Sequence, residues 1–82
     1  MRIEFHPDVL KQLQKLPRDV FEVALHAIIA LSKEPRPTGA KKLVGNQDWR
    51  IRIGQYRIVY GIDDAARVVT VFIVAKRSDA YR

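Results

Sequence analysis

The chain has 82 residues, no cysteine and a formal net charge of +6, from 15 Lys and Arg against 9 Asp and Glu. A chain this short holds one hydrophobic core and buries about 60–65% of the surface its unfolded form exposes; without cysteine it has neither a disulfide framework nor a thiolate metal site. The positive excess favours polyanionic partners and sits late: residues 1–48 carry eight basic and six acidic side chains, residues 49–82 seven and three.

No apolar run approaches the roughly 18 residues of a membrane span, and Met1-Arg2-Ile3-Glu4-Phe5 has no signal-like apolar region. His6 and His26 lack metal-ligand spacing. The expectation is a single domain over residues 1–82, soluble and cytoplasmic, with no membrane partner, no metal and no other cofactor.

Residues 2–6 alternate polar and apolar, which predicts a short strand with Ile3 and Phe5 facing inward. Pro7 suits the first turn of a helix, where its missing N–H is no loss. Val9, Leu10, Leu13 and Leu16 then recur on one helical face, and Pro17 ends that helix. From Arg18 to Lys33 the stripe of Val20, Phe21, Ala24, Leu25, Ile28 and Leu31 predicts a longer second helix. Asp19 and Glu22 near its start and Lys33 at its end suit the helix dipole, and Pro35 blocks continuation. His6 stands where a Ser or Thr cap is common, an exchange expected to cost about 1 kcal/mol.

Pro35-Arg36-Pro37-Thr38-Gly39 reads as a stiff connection, and Lys41-Lys42 as a solvated pair. Strands are predicted at Trp49–Ile53, Tyr56–Ile62 and Arg67–Val74, with Gly54-Gln55 forming a type II′ turn and Asp63-Asp64-Ala65-Ala66 the next turn. The outcome is an α+β fold: an N-terminal strand, a helical hairpin and an antiparallel β-meander, with the helices on one sheet face.

The two-residue turn fixes the pairing: Ile53 faces Tyr56, Arg52 faces Arg57, Ile51 faces Ile58 and Trp49 faces Tyr60. Alternation then places Trp49, Ile51, Ile53, Tyr56, Ile58 and Tyr60 on the inner face and Arg50, Arg52 and Arg57 on the outer one. A solvated face explains Arg50 and Arg52 about as well as a binding site does. Arg57 opposite Arg52 tilts the choice, because directly opposed like charges weaken a sheet unless an anion joins them. With a four-residue second turn Phe72 is expected near Arg57, where a base could stack, although it could instead cover the core. Lys76, Arg77 and Tyr81 follow at the same edge. Arginines beside aromatics on a sheet suit RNA, with guanidinium groups on phosphate and rings against unpaired bases.

The stretch from Trp49 to Tyr60, Trp-Arg-Ile-Arg-Ile-Gly-Gln-Tyr-Arg-Ile-Val-Tyr, resembles the central hairpin of RelE/ParE toxins. The ending Ala75-Lys76-Arg77-Ser78-Asp79-Ala80-Tyr81-Arg82 resembles the RelE branch, and Phe5-His6-Pro7 through Leu16-Pro17 matches the family's opening strand and helix. The resemblance implies the toxin of a type II toxin-antitoxin system, a metal-independent endoribonuclease (mRNA interferase). It would cleave A-site codons of mRNA on the ribosome by 2′-hydroxyl attack. It assigns Arg50, Arg52, Arg57, Arg77 and Tyr81 to the catalytic site, and the pattern of the sheet face adds Arg50, Arg52, Phe72 and Lys76 as RNA-binding residues. It also implies an acidic antitoxin that wraps the toxin, with operator DNA reached only through that complex. Arginine stands at both positions where the family commonly has lysine; an arginine does not become a neutral base, so the general base stays unassigned. Two other classes remain open on the residues: a ParE-like DNA gyrase inhibitor and a non-catalytic nucleic-acid-binding module.

Overall fold

The computed structural model describes residues 1–45 and 47–76. Its elements are β1 (Arg2–Phe5), α1 (Pro7–Gln14), α2 (Arg18–Lys33), β2 (Lys41–Lys42), β3 (Trp49–Ile53), β4 (Tyr56–Asp63) and β5 (Val68–Lys76). The five strands form one mixed sheet in the order β1-β5-β4-β3-β2. β3, β4 and β5 make the expected antiparallel meander, while β1 runs parallel to β5, with Arg2 to Phe5 beside Val68 to Val71. The fold is α+β, as the sequence pattern predicts.

The β3–β4 turn sets the geometry of everything nearby. Gly54 has φ +61° and Gln55 is not among the residues of positive φ, the signature of a type II′ turn. The pairs Ile53–Tyr56, Arg52–Arg57, Ile51–Ile58 and Trp49–Tyr60 form as expected. Val9 and Leu13 of α1 and Ala24, Ile28 and Leu31 of α2 share one buried cluster with Ile58, Tyr60, Val69, Val71 and Val74. Trp49, Ile51, Ile53 and Ile62 pack against it. Full burial of each larger apolar side chain contributes about 1.5–3 kcal/mol. A one-residue slip in β3 or β4 would turn these side chains outward, so the packing pins the strand parity.

The helical stripes are narrower than the periodicity suggests. Leu10 is 52% exposed and Leu25 36%, and on β1 Phe5, expected to face inward, is 37% exposed. Val9 and Leu13, one turn apart, occupy the contact line of α1, and Leu10 stands one residue, about 100°, around the helix from Val9. α1 stops at Gln14 because Leu16, preceding Pro17, is disfavoured in helical conformation. His6 corrects another expectation: its Nδ1 accepts the backbone N–H of Asp8 at 3.2 Å and so caps α1 itself. Gln12 on α1 reaches β5, where its Oε1 accepts the N–H of Val74 at 2.7 Å and ties the helix to the sheet.

The connection after α2 is clasped to the sheet. The Tyr60 hydroxyl donates to the Pro35 carbonyl at 2.7 Å, and Arg36 donates to both carboxylate oxygens of Asp64 at 3.3 and 2.9 Å. The Arg36 guanidinium also lies 5.5 Å from the centre of the Trp49 ring. The hydrogen bond from Arg36 holds the Asp64 carboxyl below its ordinary range, and the same bond raises Arg36. Both groups are exposed, so solvent screens the pair. Burial pushes the Tyr60 phenol up to about 12.

Candidate nucleic-acid interface

The parity that buries Trp49, Ile51, Ile53, Ile58 and Tyr60 beneath the helices turns Arg50, Arg52 and Arg57 to the opposite sheet face. Arg52 and Arg57 are direct cross-strand partners, a relation that puts their Cβ atoms about 4.5–5.5 Å apart. Arg50, one pleat repeat along β3, faces Val59. Val59 is only 3% exposed yet lies outside the helix-covered cluster, so outer-face neighbours cover it. Arg50 is itself half-buried; a long aliphatic stem laid on an apolar floor, with the charged head toward water, accounts for both observations. Arg57 is half-buried with its Nε sealed from solvent, whereas Arg52 is exposed. The face therefore carries arginines that are packed to different depths.

Phe72 does not stand across from Arg57. The second turn spans residues 64–67 with Arg67 at φ 57°, one residue later than the sequence suggests, and the pairs Asp63–Val68 through Tyr60–Val71 follow from it. The pairing then jumps from Tyr60–Val71 to Val59–Ile73, which leaves Phe72 as the extra residue of a β-bulge. Ala75 consequently faces Arg57. The Phe72 ring covers Gly61 instead: a Cβ added there would lie 3.0 Å from Phe72 Cε2 and 3.4 Å from Asp48 Oδ1. Phe72 is thus on the outer face but toward its far end, four residues along β4 from Arg57. The bulge also reverses the alternation of β5, so that Val69 and Val71 before it and Val74 after it all reach the core.

Lys76 pairs with Tyr56 at the end of the sheet where Arg57 lies. Its register position has the parity of the helix-covered face, so it neighbours the arginines at the edge rather than beside them. Arg77 and Tyr81 lie outside the described residues. One cation escaped the sequence reading: β2 pairs with β3 so that Lys41 is the cross-strand partner of Arg50 and Lys42 of Trp49. Lys41 therefore shares the arginine face, and Lys42 does not. No sequence signal marked this, since two lysines have no strand preference and the pairing arises in the backbone.

Comparison with known proteins decides the kinship. A sequence model of the ParE toxin of type II toxin-antitoxin systems, parDE, matches residues 3–81. Toxin RelG of Mycobacterium tuberculosis is 34% identical over 84 residues, covering 98% of this chain and 94% of that protein. The chain belongs to the RelE/ParE family of toxins. The RelE/ParE fold is confirmed in three dimensions by the archaeal RelE-RelB complex from Pyrococcus horikoshii: TM-score 0.81 at 27% identity, covering 96% of this chain and 97% of that one. The intact RelBE toxin-antitoxin complex of Escherichia coli gives the same TM-score at 29% identity, with 92% and 94% covered. Among the described residues of this RelE/ParE toxin, no helix is long and apolar enough to cross a membrane.

Proposed function

We propose that this type II toxin is a cytoplasmic, single-domain, ribosome-dependent mRNA endonuclease that cuts A-site codons and thereby stops translation. The observation that supports this reading most is the gathering of Arg50, Arg52 and Arg57 on the one sheet face the helices leave uncovered. In the reaction the 2′-hydroxyl of the RNA loses its proton and attacks the adjacent phosphorus. The bond to the 5′-oxygen breaks and that oxygen is protonated, leaving a 2′,3′-cyclic phosphate and a 5′-hydroxyl. Charge on the phosphate oxygens is the main thing to stabilise, and fixed guanidinium groups do so without a metal.

In this scheme Arg57 and Arg77 hold the scissile phosphate, Arg50 and Arg52 orient the strand, and Tyr81 stacks on or hydrogen-bonds to the codon. Phe72 at Gly61 offers its ring to a base farther along the strand, and Lys76 adds positive charge at the sheet edge. Arginine is a poor proton acceptor, so alignment and proton removal depend on the ribosome, and naked RNA is a weak substrate. Relatives crystallised as RelE-RelB and RelBE complexes support a cognate antitoxin as the partner of this chain. Its acidic character follows from the +6 charge it must meet, and operator DNA is engaged only through that complex.

The test is in vitro translation with the purified toxin, followed by primer extension on the message. Cuts phased to codons, and far fewer on the same RNA without ribosomes, are expected. The match to the ParE description keeps one competitor specific: an intact message together with blocked gyrase supercoiling would replace the nuclease reading with gyrase inhibition. An intact message with unimpaired supercoiling, but retained RNA binding, would leave a binding module.

A further inference from the structure

The face bearing Arg50, Arg52 and Arg57 contains a second like-charge pair, built from a strand the sequence does not announce. Lys41 and Arg50 are cross-strand partners on β2 and β3, and Arg52 and Arg57 are cross-strand partners on β3 and β4. The two pairs share β3, where Arg50 and Arg52 stand one pleat repeat apart. Neighbouring strands are about 4.8 Å apart and the repeat is about 6.8 Å, so the four Cα atoms fall within a patch of roughly 10 × 7 Å. The line from Lys41 through Arg50 and Arg52 to Arg57 crosses the sheet obliquely.

From this juxtaposition we infer that Lys41 is a phosphate-binding residue, which with the strand-orienting Arg50 grips a second RNA phosphate beside the scissile one held at Arg57. The inference rests on the reading of this face as an RNA site and extends it to the outermost strand. Two phosphates held at fixed separation set the direction of the strand as well as its position, which a single cation cluster does not. The competing explanation is that lysines on a short edge strand serve only to keep other chains from pairing with it. That explanation treats Lys41 and Lys42 alike, whereas the pairing separates them: Lys41 faces Arg50 on the open face and Lys42 faces Trp49 on the other. Both side chains are exposed, so either can be replaced without opening the core.

The experiment measures binding of a short 2′-O-methyl oligoribonucleotide, which cannot be cut, to the full-length toxin over a series of salt concentrations. Each phosphate contact on a single strand contributes about 0.7 to the slope of log affinity against log salt. Lys41→Ala is expected to flatten the wild-type slope by about 0.7, Lys41→Arg to restore it, and Lys42→Ala to leave it unchanged. Equal slopes for Lys41→Ala and Lys42→Ala, with the wild type binding normally, would overturn the role of Lys41 and leave the RNA reading standing. Absence of salt-dependent binding by the wild type would overturn both.

Discussion

Arg52 on β3 is the direct cross-strand partner of Arg57 on β4, a like-charge pair held in register by the Gly54-Gln55 turn. Opposed like charges cost a sheet up to about 1 kcal/mol relative to neutral pairs, and positions kept for function are where such costs persist. Arg52→Thr substitutes a β-branched, strand-favouring residue at an exposed site. It should change the stability read from the urea midpoint by no more than about 1 kcal/mol while sharply reducing ribosome-dependent cutting. Urea titration beside the translation assay checks both halves; lower stability together with full activity would contradict the functional reading of the pair.

Arg57 is packed more deeply than Arg52, with its Nε sealed from solvent and Ala75 rather than an aromatic opposite it. If it contacts the scissile phosphate, Arg57→Ala should slow single-turnover cleavage by about 10²–10³, or about 2.7–4 kcal/mol in barrier, on the scale of losing one oxyanion donor. Arg57→Lys keeps the charge but loses the planar fork, and should fall between alanine and wild type. Circular dichroism of each variant confirms that the sheet persists. Cleavage by a folded Arg57→Ala at the wild-type rate would remove Arg57 from the site.

Much of this face is legible in the sequence because a two-residue turn leaves no freedom of register. Once Gly54-Gln55 is read as the bend, each partner from Trp49 to Tyr60 follows by counting, and the apolar parity says which side the helices take. β5 is different. Its run of Val68, Val69, Val71, Phe72, Ile73 and Val74 is apolar on both parities, so the pattern is silent on where alternation reverses. The bulge at Phe72 and the later start of the strand together moved Ala75, not Phe72, to Arg57. β2 was illegible for another reason: it consists of two lysines, and only the backbone pairing with Trp49 and Arg50 makes it a strand. His6 was legible as an unusual cap, but not that its ring nitrogen would do the capping.

Tyr60 is wholly buried, and its hydroxyl holds the Pro35 carbonyl at 2.7 Å. Tyr60→Phe should cost about 0.5–1.5 kcal/mol, a fall of roughly 4–8 °C in Tm per kcal/mol for a domain of this size. The phenol also predicts an alkaline limit. Its folded pKa is raised from the ordinary 10.0 to about 12 by burial, so the native state retains a proton that the unfolded chain releases. The resulting stability is complete below pH 10 and is lost as pH rises from 10 to about 12, by roughly 2–3 kcal/mol. Denaturant midpoints across that interval should fall more steeply for wild type than for Tyr60→Phe. Parallel curves would show that Tyr60 does not govern the transition.

Gly61 lacks the side chain that would otherwise occupy the outer face between Asp48 and Phe72. The Phe72 ring fills that space, a cross-strand cover for a glycine comparable to the aromatic rescue used in sheet design. A Cβ at residue 61 would meet Phe72 Cε2 at 3.0 Å, so Gly61→Ala requires the ring to give by a few tenths of an ångström, although alanine otherwise suits a strand better than glycine. A ring held in place by its neighbours turns that contact into overpacking, which costs about 1–3 kcal/mol. Shortening the obstructing side chain should recover part of the loss, making Gly61→Ala/Phe72→Leu more stable than Gly61→Ala alone, with a favourable coupling in the double-mutant cycle. Because the bulge sets Phe72 four residues along β4 from Arg57, Gly61→Ala should lower stability more than it lowers cleavage by the folded fraction. A cleavage loss as large as that of Arg57→Ala, at intact fold, would instead mean that the ring at Gly61 governs the chemical step and not only the hold on a base farther along the strand.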